Sequence, residues 1–144
     1  MVDEINLVRS DPAGYVKYVK EYIKKNKTGK QIKTAANELI AELQHLKPLN
    51  TLKVSPDLYL AARDYGKTMI ENNSIEHSDL PYAENLSFGI ENIRDAIIDL
   101  LIDDDVEGRG HRKNILRKNI TMIGVVELQG KVEDFLYCYI QEFK

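Results

Sequence analysis

Apolar residues recur at two spacings along the chain, three to four apart up to about residue 101 and alternating or continuous beyond residue 122. The first spacing predicts helices. Asp11-Pro12 reads as an N-cap followed by a first-turn proline, which divides the opening helical segment. Beyond it Val16, Val19 and Ile23 form one stripe, with Tyr15, Tyr18 and Tyr22 on the adjoining one, until the polar, glycine-containing stretch Lys24 to Lys30 ends the pattern in a loop. A second helix is expected from about Thr34 to Leu46, with Leu39, Leu43 and Leu46 inward and Pro48 stopping it. Ser55-Pro56-Asp57 combines a capping hydroxyl, a first-turn proline and an acid near the positive end of the helix dipole. The helix it starts places Leu58, Ala61, Ala62, Tyr65 and Met69 on one face and weakens over Glu71-Asn72-Asn73-Ser74. Another begins near Asn92, where Ile93, Ala96, Ile97, Leu100 and Leu101 make a clean core-facing stripe.

The second spacing predicts strands over Met122 to Leu128 and Phe135 to Phe143, joined by a turn at Gln129-Gly130-Lys131, with Asn85 to Ile90 a candidate third. Both faces of the last strand are apolar, so it should be covered on both sides. The expected fold is α+β, an α-β-α sandwich with a small antiparallel sheet between helix layers, forming one domain over residues 1–144.

Composition removes several classes of function. Hydrophobic residues make up 43% of the chain and charged residues 30%, which fits neither a membrane-spanning protein nor a disordered tail. A net charge of −3 argues against nucleic-acid binding by bulk charge. The single cysteine, Cys138, forms no internal disulfide and no thiolate cluster; mid-strand among Leu136 and Ile140, it reads as a buried, inert thiol. The opening Met1-Val2-Asp3-Glu4-Ile5-Asn6 has no basic region and no apolar run of a secretory leader. The expectation is a mature domain whose leader or tether lies outside it.

Candidate chemistry is confined to a few residues. The chain has no Walker loop, no G-x-G-x-x-G, no nucleophile elbow and no H-E-x-x-H. Gly108-Arg109-Gly110 resembles a fragment of a phosphate nest, but no strand leads into it. The seven lysines between Lys17 and Lys33 read as a solvated helix face. His45, one residue from a helix end, suits the dipole and reads as structural. His77 and His111 instead sit among turn-forming neighbours, expected as loops, where binding groups concentrate. In the run Asp103-Asp104-Asp105, Asp104 follows Leu101 by three residues and Ile97 by seven, which continues the apolar stripe and aims its carboxylate inward, where an imidazole would partner it. Helix fraying, with all three acids in water, is the plainer alternative.

Taken in order, the segments Glu4 to Tyr15, Leu46 to Leu49, Leu58 to Ala62, His77-Ser78-Asp79-Leu80-Pro81-Tyr82-Ala83-Glu84-Asn85-Leu86, Gly110-His111-Arg112-Lys113-Asn114-Ile115-Leu116, Ile123 to Val125 and Tyr139 to Phe143 resemble the CAP superfamily of cysteine-rich secretory proteins, antigen 5 and pathogenesis-related group one proteins. The resemblance is to its bacterial, disulfide-free members. It implies an α-β-α sandwich with a cleft lined by two histidines and two acids. His77, Glu84 and His111 carry over, and Asp104 stands where the family's second acid is usually Glu. The resemblance further implies an extracellular or cell-surface setting and zinc uptake by His77 and His111. As alternatives it implies metal-assisted, peptidase-like hydrolysis through the same four residues, or lipid and sterol binding on another surface. A monomer with an extracellular ligand, lipid or host macromolecule, is the expected assembly.

Overall fold

The computed structural model describes residues 1–26 and 29–144. Its helices are α1 (Val2–Ser10), α2 (Pro12–Asn26), α3 (Lys30–His45), α4 (Pro56–Asn72), α5 (Ile93–Ile102) and α6 (Gly110–Leu116), and its strands are β1 (Lys53–Val54), β2 (Ala83–Phe88), β3 (Met122–Glu127) and β4 (Cys138–Phe143). The loop expected over residues 24–30 includes residues 27 and 28, which lie outside the described residues; α2 ends at Asn26 and α3 starts at Lys30.

Local chemistry sets the helix starts. The Ser55 hydroxyl accepts from the Leu58 amide at 3.3 Å with Pro56 in the first turn, and the Asn92 side chain accepts from the Asp95 amide at 3.1 Å. Asn73 ends α4 in the left-handed conformation, φ 48°, which suits an asparagine.

The strands form one sheet in the order β1-β3-β4-β2. β4 runs antiparallel to both β3 and β2 and is buried along its whole length, whereas β1 pairs parallel with β3. The sheet is therefore mixed where an antiparallel one was expected, because the two-residue β1 lies beside β3 at one edge and runs parallel to it, after an intervening chain of α4, β2, α5 and α6. The last strand starts at Cys138 and not at Phe135: β2 and β3 end opposite Cys138 and Tyr139, so residues before them have no ladder to join. A bridge between Val132 and Phe135 and a left-handed Glu133 bend the preceding chain into a turn.

Two apolar cores lie on the two faces of the sheet. Ala62 and Met69 of α4 pack with Leu86, Leu128, Cys138 and Ile140 on one face. The larger core joins α1, α2, α3, α5 and α6 to Ile123 and Phe143 on the other. Gly124 allows the close approach of α4, since a Cβ there would overlap the Leu58 and Tyr59 backbone. Arg9, with no exposed surface, ties α1 to the segment after α6 by donating to the carbonyls of Asn50 (2.9 Å), Ile115 (2.7 Å) and Arg117 (3.1 Å). The end of α6 is thereby fixed against the larger core.

Candidate functional site

β2 is one of the sheet's two edge strands, and two histidines meet beside it, one from the loop after α4 and one from the first turn of α6. Their ring centroids are 6.4 Å apart and their planes are tilted by 30°. His77 occupies a loop as expected, but His111 belongs to a helix. That seven-residue helix shows no apolar stripe long enough to read by periodicity.

Each imidazole is held through Nδ1 by a carboxylate that is itself almost fully buried. His77 Nδ1 donates to Glu84 Oε1 at 2.6 Å, and the Ser78 amide donates to the same oxygen at 3.1 Å. His111 Nδ1 donates to Asp103 Oδ1 at 2.8 Å, while Asp103 Oδ2 accepts from the amides of His111 (2.9 Å) and Arg112 (3.4 Å). The Glu84 and Asp103 side chains are 6% and 2% exposed, against 63% for His77 and 20% for His111, so buried acids back accessible rings. With a carboxylate on Nδ1 the proton sits on that nitrogen, and Nε2 of each ring is left with its lone pair.

The second acid is Asp103, a correction to the expectation of Asp104. α5 ends at Ile102 and Asp103 takes up the left-handed conformation, φ 54° and ψ 43°, so the count of 100° per residue stops before Asp104 is reached. Asp104 is half-buried and lines the hollow beside His111 without bonding to either ring. Arg112 fastens the helix end, donating to the carbonyls of Leu101 (2.6 Å) and Ile102 (3.0 Å), and Arg109 donates to the Asp103 carbonyl at 2.6 Å. A chain of amides locks α6 to β2: Asn114 donates to the Glu84 carbonyl (3.2 Å) and to Asn85 Oδ1 (2.9 Å), and Asn85 donates to the His111 carbonyl (3.3 Å) and to Gln141 Oε1 (3.2 Å).

A further acid escaped sequence reasoning. Glu142 has no exposed surface, and its cross-strand neighbours are Glu84 on one side and Gly124 on the other. Neither of its oxygens, nor Oε2 of Glu84, receives a hydrogen bond from the described residues. Burial and the neighbouring Glu84 carboxylate push the Glu142 carboxyl up to about 8. A protonated Glu142 can donate to Glu84 and satisfies both groups, which a second ionised carboxylate would not. The signal was present: an acid two residues after Ile140, in a strand whose faces are both covered, cannot reach water.

The rings border separate hollows, about 360 Å³ on the His111 side and about 160 Å³ on the His77 side. A larger hollow, about 820 Å³, lies between α2 and the start of α5, away from both histidines. Cys138 is buried, and burial pushes its thiol up, as expected for an inert cysteine. His45 is exposed, its Nδ1 2.8 Å from the Ala41 carbonyl.

The model of the CAP family, described as the cysteine-rich secretory protein family, matches residues 2–143. No curated protein matches the chain.

Proposed function

The chain belongs to the cysteine-rich secretory protein family, and from that premise we propose a binding module whose cleft takes up a divalent cation, zinc in the first instance, on His77 and His111. The observation that carries this reading is the pairing of both Nδ1 atoms with buried carboxylates, which orients two imidazoles and reserves two Nε2 lone pairs. The donor set fits a site with two protein ligands and the remainder solvent or ligand. Among the described residues no group of three or more His, Cys, Asp and Glu side chains converges on one point. His77, on its loop, and His111, on α6, have ring centroids 6.4 Å apart and would be the residues to hold the cation through Nε2. When bound, the cation supplies a positive charge that can polarise an oxygen of a partner molecule. Glu84 and Asp103 hold the rings, and Glu142 lies behind Glu84.

The proposed setting is extracellular or cell-surface, with a lipid or a macromolecule as partner; family membership supports it. No helix among the described residues is long and apolar enough to cross a membrane.

Zinc titration by calorimetry tests the reading. We expect one zinc per chain, affinity lower at mildly acidic than at neutral pH because a protonated imidazole cannot ligate, and a loss of at least about tenfold in His77→Ala and in His111→Ala. Equal affinity at both pH values, or unchanged affinity in either variant, overturns it.

A further inference from the structure

The sheet has a second edge, on the side away from the histidines. β1 covers β3 there for two residues only, because α4 begins at Pro56 and carries the chain off the ladder. The Ser55 amide makes the last bond of that pairing, donating to the Ile123 carbonyl at 2.9 Å. Beyond this point β3 is itself the edge. On its inner side the amides of Met122 and Leu128 donate to the carbonyls of Lys144 (2.8 Å) and Cys138 (2.9 Å). By alternation Gly124 and Val126 also face β4, while Val125 and Glu127 face outward. The N–H and C=O groups of Val125 and Glu127 have no hydrogen-bond partner among the described residues.

α4 turns this open edge into a groove. Gly124 lies against the Leu58 and Tyr59 backbone and Gly66 against Leu128, so helix and strand run side by side in the same direction. Between them is a hollow of about 420 Å³, with Tyr59, Arg63, Lys67 and Ile70 on the helix side and Val126 and Leu128 on the strand side. From Tyr59 to Ile70 the helix rises about 16 Å, the length of about five extended residues. Tyr59 is 41% exposed, and Val54 and Met122 at the start of the same edge are 64% and 43% exposed. We infer that an extended segment of a partner protein adds to this edge as a further strand, laying apolar and acidic side chains into the hollow. The inference goes beyond the metal reading and requires no metal.

The backbone sets the class of ligand. Val125 and Glu127 offer two donors and two acceptors at a spacing of about 7 Å, the repeat of a polypeptide in β conformation. Charge sets its side chains. Arg63 Nε and Nη2 and Lys67 Nζ all donate to one oxygen of Asp64, at 2.9, 2.8 and 3.1 Å. Two cations share one anion there, and Arg63 Nη1 has no partner among the described residues, which suits an incoming carboxylate. Glu127 lies on the face of the sheet away from α4, the face of its cross-strand neighbour Tyr139 and of Ile123 in the larger core. A second copy of this chain suits the edge less well. Two-fold pairing of β3 with itself would set α4 beside its own copy, cation against cation at Arg63 and Lys67.

The probe is the peptide acetyl-Leu-Thr-Glu-Thr-Leu-amide, titrated in EDTA so that failure of the zinc reading leaves the result untouched. Its controls carry lysine in place of glutamate, N-methyl groups on both threonines, or an N-methyl group on the glutamate. We expect a Kd below about 1 mM, and binding at least about tenfold weaker for the lysine peptide and in the double variant Arg63→Glu, Lys67→Glu. Both substitutions are on exposed side chains, and an unchanged urea midpoint shows that the variant is folded. One of the two methylated peptides should lose binding and the other keep it within about threefold, because only every second N–H of an added strand faces its neighbour. The Val125 and Glu127 amides should exchange fast in the free protein and at least about tenfold more slowly with saturating peptide. Absence of binding, equal binding of the lysine peptide, equal effects of the two methylations, or unchanged exchange at both amides overturns the inference. Slow exchange at these amides in the free protein overturns it too, and sedimentation as a dimer would then identify a second copy as the occupant.

Discussion

At Asp103 the backbone leaves the α5 helix with φ 54°, and that single left-handed residue turns a carboxylate back onto the start of α6. There it meets three N–H donors, the ring and amide of His111 and the amide of Arg112. Hydrogen bonds to a charged acceptor contribute about 1.5–3 kcal/mol each when buried, and Asp103 is 5% exposed. Asp103→Asn keeps the shape but removes the charge and offers an N–H where an acceptor is needed. We expect it to lower stability by about 2 kcal/mol and to weaken zinc uptake by about 10–100-fold, with a change in the His111 Nδ1–H resonance in proton NMR. Asp104→Asn, one position later and without a bond to the ring, should change stability by no more than about 0.5 kcal/mol and leave that resonance in place. Urea denaturation and NMR of the two variants decide which aspartate orients the ring; the reverse ranking would restore the acid that periodicity selects.

Gly124 shows how an element's position depends on one missing side chain. A methyl group there overlaps the backbone of Leu58 and Tyr59 in the first turn of α4, atoms that cannot swing aside as a flexible side chain would. Gly124→Ala should therefore lift α4 from β3, with a cost of about 1–3 kcal/mol in urea denaturation, and loosen the chain leading to His77. A variant as stable as wild type would mean that α4 has room to shift. Elements with strong local patterns were legible in the sequence: the Ser55 cap, the helix start near Asn92, the Pro12 break, and the apolar runs of β3 and β4. β1 was not, because Lys53–Val54 is two residues long with both side chains exposed, and it exists only through pairing with β3. α6 was missed for want of length. In the site, the placing of Glu84 beside His77 follows from the family resemblance alone. Asp103 does not, because its role depends on a backbone dihedral, and Glu142 does not, because its partner is 58 residues away across the sheet.

Across the whole molecule, stability depends on pH through acids displaced in opposite directions. Glu4 is held below its ordinary value: burial opposes ionisation, but hydrogen bonds from Arg94 and Tyr15 outweigh it, so its contribution is present at neutral pH and lost as pH falls. Glu142 acts in the other sense. Its carboxyl is pushed from 4.5 up to about 8 in the fold, so between those values the folded chain holds a proton that the unfolded chain has released. With fewer protons bound in the unfolded state, stability falls as pH rises through that window and levels off above it. The maximum should therefore lie on the mildly acidic side of neutrality. Urea denaturation of wild type and Glu142→Gln at pH 5, 7 and 9 separates this acid from the rest. Gln keeps a donor for Glu84 at every pH and cannot ionise, so the variant should match wild type near pH 5 and exceed it by a growing margin at pH 7 and 9. Parallel stabilities of the two proteins across that range would mean that Glu142 is already ionised at pH 5 and that the carboxyl pair beneath α4 is stabilised by something other than a shared proton.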